Sequence, residues 1–260
     1  MAIATPPSAV TRSRRADALA RDIDAWPLQT APFDHLCMDS VFGPAQYATL
    51  LRHLPETRRY RELTHREAMQ ADGHSARRKF YLFPEQIMTL PRAQRGVWLE
   101  VSRVLRSREV QDAFKRKFRV ALERRFGRRV EELSFYPVPM LLRDLGGYRI
   151  GIHCDSMGKA ITVQFYLPSD GSQAHVGTIL HEGRDGDAAS RTKTMPFRPD
   201  SGYAFPVIFR ESWHSVARTS AADGERNTLM LTYYVDENPG RWLVNRLKRF
   251  WTFVAYGLRP

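Results

Sequence analysis

Apolar positions along this chain change their spacing near residue 132. Before it they recur every three or four residues, the spacing of helices. Tyr47, Leu50, Leu51 and Leu54 make one such face, with Asp39 or Ser40 as cap and Pro44 near the first turn. Pro55 ends it. The spacing predicts two more helices, over 94–106 and 109–126. The second carries Val110, Phe114, Phe118, Leu122 and Phe126 at i+4, and Gly127 is its stop. This phenylalanine stripe reads as core, packed on the outside of a sheet. Strand-like runs at 32–36 and 80–83 interrupt the helical part.

After Glu132 the apolar residues come in short runs: 133–142, 148–154, 160–167, 176–181, 192–197, 203–206, 213–218 and 228–235. Turn residues separate them, at Gly146-Gly147, Ser169-Asp170-Gly171, Asp185-Gly186 and Ala222-Asp223-Gly224. Such a series predicts a sandwich or jelly roll, so the expected fold is mainly β with flanking helices. No internal repeat runs through the chain.

The rest divides by composition. Residues 1–31 read as a flexible tail rich in Ala, Pro, Ser, Thr and Arg, with at most a short helix over 16–25. A single domain follows over 32–237, with a helical and lid part over 32–130 and a β core over 131–237. Within it, 56–79 is polar and holds His65, His74, Arg77, Arg78 and Lys79. It is either a lid or an exposed linker. Residues 238–260 form a basic amphipathic helix. Leu243, Leu247, Phe250, Val254 and Leu258 make its apolar face, widened by Trp242, Trp251 and Phe253; Arg246, Lys248 and Arg249 mark the polar side. The first expectation is that the apolar face docks on the domain or forms a dimer seam. Peripheral contact with an anionic membrane through 241–258 is the second.

The candidate chemistry lies in the β part. His153 and Asp155 form a His-x-Asp pair, and side chains at i and i+2 of a strand share a face. A second histidine must come from a strand distant in sequence, and His214 in WHSVART fits. Two imidazoles and one carboxylate can occupy one face of Fe(II) and leave the other open. Residue types alone leave zinc open. Arg226 opens the last strand, and a guanidinium grips a carboxylate through two parallel hydrogen bonds. Thr228, two residues on, faces the same side. His175 and His181 flank an apolar strand without a carboxylate at i+2 and read as a surface and a sheet histidine. Cys154 lies between two candidate ligands and should point to the opposite face of the strand.

In the HxD…H…R frame, and in ITVQFYLP after the HxD, the chain resembles the Fe(II)- and 2-oxoglutarate-dependent dioxygenases, close to their prolyl-4-hydroxylase-like branch. The resemblance covers residues 33–236. It implies a double-stranded β-helix, or jelly roll, with the metal at one mouth. It implies His153, Asp155 and His214 as iron ligands and as the catalytic set. Arg226 would clamp the distal carboxylate of 2-oxoglutarate, with Tyr166 sharing it. The family's Gly-Gly-x-Leu reads here as Val176-Gly177-Thr178-Ile179-Leu180. Where relatives place an aromatic on the co-substrate, this chain has Arg143, with Tyr148 nearby. The implied activity is hydroxylation by O2, with 2-oxoglutarate converted to succinate and CO2 and ascorbate as an optional reductant. Desaturation and ring closure are variants of that outcome. The substrate expected is a small molecule or an envelope sugar or lipid. The alternatives are a peptidyl, prolyl-type hydroxylase and a non-catalytic jelly-roll metal-binding protein.

Composition changes this picture little. At 260 residues, 43% of them hydrophobic, the chain suits an ordinary globular protein. No apolar run is long enough to span a bilayer and no secretory signal is visible. Two cysteines, Cys37 and Cys154, make no disulfide framework, so a cytoplasmic location is expected, with peripheral attachment to the inner membrane face as its variant. The net charge of +12 is spread along the chain rather than gathered into a tract. Base demethylases of the family carry a second arginine six residues after the clamp; that position is Thr232, so no nucleic acid is expected. The oligomeric state stays open.

Overall fold

Strand β12 (Arg226–Val235) is hydrogen-bonded along its length between β5 (Phe135–Asp144) and β7 (Lys159–Tyr166), and the architecture is built outward from this trio. The computed structural model describes residues 9–64, 66–184, 191–236 and 238–257. The first eight residues of the expected tail, His65, the Asp185-Gly186 turn and Leu258 lie outside the described residues.

In chain order the other elements are α1 (Ala9–Ala25), β1 (Leu28–Gln29), β2 (His35–Asp39), α2 (Pro44–Arg52), β3 (Arg61–Glu62), β4 (Arg77–Tyr81), α3 (Pro84–Ile87), α4 (Arg92–Leu105), α5 (Arg108–Lys117) and α6 (Arg119–Phe126). Then come β6 (Ile150–His153), β8 (Thr178–His181), β9 (Thr192–Met195), β10 (Ser201–Pro206), β11 (Trp213–Val216) and α7 (Pro239–Gly257). The large antiparallel sheet runs β1-β2-β10-β7-β12-β5-β4-β3, and the small one β6-β11-β8-β9.

Period-two alternation sorts the large sheet into two faces. Leu229, Leu231 and Tyr233 of β12 join Leu141, Val163 and Phe165 in a buried core beneath the helices. Val110, Phe114, Phe118 and Leu122 of the expected stripe are in this core, with Trp98 of α4. The other face, with Met140, Thr162, Gln164 and Met230, turns to an open cavity. Tyr166 and Tyr203 meet Leu180 and Met195 of the small sheet beside it. The sheets are thus a jelly-roll sandwich with α1 to α6 packed over one face of the large sheet and α7 set against the edge of the other, where Arg246 covers the Tyr136 ring.

Three expectations are corrected. The tail of 1–31 is, from Ala9 on, the packed helix α1 and strand β1. Ala16, Leu19, Ala20 and Ile23 are buried at i, i+3, i+4 and i+7, and Arg116 pairs with Asp24 at 2.6 Å. A stripe half made of alanine gives a faint hydrophobic signal, which is why it reads as tail. The helix over 109–126 is two helices that meet at Phe118, whose backbone leaves the helical region while its ring stays buried. No Gly or Pro marks that break; Lys117 Nζ there donates to the carbonyls of Asp24 and Trp26. The segment 56–79 is not an exposed linker without structure: Leu63, Ala68, Arg77 and Lys79 line the cavity between the sheets. It contributes the edge strand β3 and the start of its neighbour β4, whose charged residues hide the strand pattern.

Candidate metal centre and its cavity

His153 ends β6 and His214 lies directly opposite it on β11. Their rings are 4.2 Å apart, centroid to centroid. Asp155 follows in the turn to β7. One ligand atom from each of His153, Asp155 and His214 falls within 4.8 Å of the others. Among the described residues no other such group of His, Cys, Asp and Glu occurs.

Each imidazole is oriented through its Nδ1. His153 Nδ1 is 2.9 Å from Gly151 O, and His214 Nδ1 is 3.1 Å from Ser212 O. A carbonyl oxygen only accepts, so Nδ1 carries the hydrogen and Nε2 keeps its lone pair. His214 is buried against Phe205, with ring centroids 4.9 Å apart. Burial pushes its pKa down to about 4, with Asp155 working the other way, so it is neutral at pH 7 as a ligand must be. Asp155 accepts from Lys159 Nζ and Thr162 Oγ1, each at 2.6 Å. Burial acts to raise its pKa, but the Lys159 ammonium, His214 and the two hydrogen bonds outweigh it and hold the carboxyl well below the usual range. The site therefore offers two imidazole nitrogens and one anionic oxygen, each side chain fixed by a second contact.

The triad borders a cavity of about 460 Å³ between the sheets. Arg77, Lys79 and Lys159 line it with Tyr148, Thr178 and Tyr203, and Asp155 is the single acid among the described lining residues. Tyr203 donates to Thr178 Oγ1 at 3.0 Å.

Behind this wall sits Arg226, 1% exposed. Its Nε donates to Val176 O at 2.9 Å and its Nη1 to Asp144 Oδ2 at 2.8 Å. Thr228 Oγ1 and Thr178 Oγ1 are each 3.5 Å from the guanidinium, which packs over the adjoining rings of Phe197 and Tyr166. Gly177, the next residue after Val176, lets the chain pass close to Met195, because a Cβ there would stand 1.9 Å from Met195 O. Asp144 is fully buried and its other oxygen is 2.9 Å from Arg77 Nε. That pair is an ion pair at an angle that makes no hydrogen bond, which leaves Arg77 Nε and Asp144 Oδ1 without hydrogen-bond partners. Arg77 also donates to the Tyr148 hydroxyl and covers its ring at 4.6 Å.

The structure thus brings His153, Asp155 and His214 together and gathers Arg226, Thr228 and Tyr166 a short way behind the cavity wall. Tyr148 lines the cavity itself. Arg143 is on the opposite face of β5 from Asp144 and pairs with Glu225 at 3.1 Å, so it takes no place in the cavity. His175 is exposed against Asp223, and His181 is buried against Ser215. The Cys154 thiol is drawn to the Arg210–Ser212 turn, and burial pushes its pKa up. Sequence reasoning missed Asp144, Arg77 in this role, Lys159, Thr162, Thr178 and Tyr203. The signal for Asp144 is its register: it lies opposite Arg226 on one side and Arg77 on the other.

No family model and no curated protein matches the chain. Solved structures do. A prolyl hydroxylase from Trichoplax adhaerens, in complex with a hypoxia inducible factor oxygen degradation domain peptide fragment, is 13% identical. It aligns over 89% of this chain and 96% of its own, with a TM-score of 0.57. A Pseudomonas putida prolyl-4-hydroxylase is 15% identical over 85% of this chain and 98% of its own, with a TM-score of 0.49. The fold is shared with the first of these across nearly the whole of both chains.

Proposed function

We propose that the chain is an Fe(II)- and 2-oxoglutarate-dependent oxygenase that hydroxylates a small molecule or an envelope sugar or lipid. The observation that carries this reading is the His153–Asp155–His214 group at the wall of a cation-lined cavity. The donor set fits Fe(II): two nitrogens and one oxygen on one face, with room opposite. When bound, Fe(II) with 2-oxoglutarate supplies the activation of O2. The sum is substrate C–H, 2-oxoglutarate and O2 giving substrate C–OH, succinate and CO2.

The chain's own residues bind and orient. Lys159 and Thr162 keep the Asp155 carboxylate charged and aimed. The carbonyls of Gly151 and Ser212 keep each Nε2 available. Two guanidiniums, Arg77 and Arg226, share the single carboxylate of Asp144, so that cluster carries one more positive charge than negative at the cavity wall. A carboxylate from the co-substrate neutralises it, with Thr178, Thr228, Tyr166, Tyr148 and Tyr203 as nearby hydroxyls. The cations on the cavity wall suit a substrate with an anionic group.

A peptidyl hydroxylase is the second reading, favoured by the peptide bound to the Trichoplax adhaerens structure of the same fold. A cytoplasmic setting suits both, and among the described residues no helix is long and apolar enough to cross a membrane. The test is succinate formation from 2-oxoglutarate by the Fe(II)-loaded protein, beside His153→Ala. Loss of succinate in the variant is expected. Equal succinate from both proteins overturns the assignment.

A further inference from the structure

Helix α7 is mounted the opposite way from an ordinary surface helix. Its polar side faces the domain. Asn245 Nδ2 donates to Asp236 Oδ1 at 3.0 Å, Arg246 Nη1 to Asp236 Oδ2 at 3.0 Å, and Arg249 Nη2 to Glu85 Oε2 at 2.7 Å. Its apolar side faces outward. Leu243, Val244, Leu247, Phe250 and Trp251 recur at i, i+1, i+4, i+7 and i+8, and every one is between 44% and 64% exposed. The expectation that this face docks on the domain is therefore overturned: the ion pairs hold the helix and the apolar stripe is left open.

Three observations say what covers it. Residues 239–257 contain four Arg or Lys and no Asp or Glu, on a chain of net charge +12. Arg246 and Arg249 are paired with acids of the domain, so the complementarity rests on the charge of the whole chain: two copies meeting at α7 would bring two strongly positive surfaces together, whereas an anionic lipid surface attracts one. Trp242 and Trp251, 50% and 64% exposed, are side chains suited to the headgroup boundary. The helix also borders the cavity mouth. Tyr81 and Tyr234 line both the metal cavity and a hollow closed by Asn245 and Arg249 of α7. The Arg241 guanidinium lies about 4.0 Å from where a Gly158 Cβ would stand, in the turn between Asp155 and Lys159.

We propose that α7 lies in the headgroup layer of an anionic membrane, apolar stripe inward, and sets the cavity mouth at the lipid surface. The docking stands without the oxygenase reading. The substrate class it points to, a membrane lipid with an anionic headgroup, rests on that reading.

The test is co-sedimentation of the full chain with phosphatidylcholine vesicles and with vesicles of phosphatidylcholine and phosphatidylglycerol in equal parts, beside Leu247→Asp and Phe250→Asp. Wild type should pellet with the mixed vesicles, more weakly at high salt, with its tryptophan emission shifted to the blue. Each variant should bind at least about tenfold more weakly, because an acid replaces a side chain that would be buried in the acyl boundary. Both side chains are exposed, so melting temperature and Fe(II) binding should stay as in wild type, which separates this test from that of the reaction. Equal recovery with neutral and anionic vesicles, or equal binding by the variants, overturns the proposal. So does a wild-type dimer in analytical ultracentrifugation that Leu247→Asp splits, since α7 would then be a seam between copies.

Discussion

Asp144→Asn isolates the charge of one buried carboxylate while keeping its shape. The side chain has no solvent exposure, and its oxygens lie 2.9 Å from Arg77 Nε and 2.8 Å from Arg226 Nη1. At an effective dielectric constant of about 20 and a charge separation of about 4 Å, each attraction is about 4 kcal/mol. Desolvation offsets much of this in the intact cluster, but the variant keeps the desolvated guanidiniums and loses their partner. Breaking a buried pair this way costs about 3–5 kcal/mol. In a chain of this length that corresponds to a fall in melting temperature on the order of 10 °C. Thermal and urea unfolding followed by circular dichroism give the readout. Arg77→Met in the Asp144→Asn background should recover part of the loss, because one of two uncompensated cations is gone. A variant that melts within about 2 °C of wild type, or a double variant less stable than the single one, refutes the idea of a charge-balanced cluster.

Two further outcomes follow from burial. The folded pKa of His214 lies at about 4, below its ordinary 6.5, so the folded state resists protonation there. The stability this neutral histidine contributes is complete above 6.5 and is lost as pH falls through 4, a span worth about 3 kcal/mol. Urea midpoints of wild type should therefore drop more steeply between pH 7 and pH 4 than those of His214→Gln; parallel curves contradict this. Trp98→Ala should cost about 3–5 kcal/mol, since it leaves a void in the helix-covered core and strips the His53 carbonyl of its donor at 2.7 Å. A urea midpoint close to that of wild type would mean the core collapses around the gap.

The β core was readable because alternation survives in strands with one face under helices and the other on a cavity. Leu229, Leu231 and Tyr233 against Thr228, Met230 and Thr232 show it directly. The His153–Asp155–His214 group was readable because i and i+2 at one strand end give two candidate ligands, and only the third had to be sought. Strand β4, one in from the sheet edge, was obscured because Arg77, Arg78 and Lys79 dominate it and mimic a solvated loop. Helix α1 was obscured because Ala16 and Ala20 bury little area each. Arg226 was legible as a candidate clamp, but its engagement by Asp144 depends on strand register, which turn signals alone did not fix. The orientation of α7 depended on Asp236 and Glu85, acids well outside the helix, so periodicity could find its two faces but not which one faces inward.

The central claim is that His153, Asp155 and His214 bind Fe(II) together with 2-oxoglutarate. Its most direct test is an anaerobic titration of the metal-free protein with Fe(II) and then 2-oxoglutarate, followed in the visible region for the metal-to-ligand charge-transfer band. A band in wild type that is absent in His214→Ala and weakened in Arg226→Ala is the predicted result. A well-folded wild-type protein that shows no band with both components present contradicts the account.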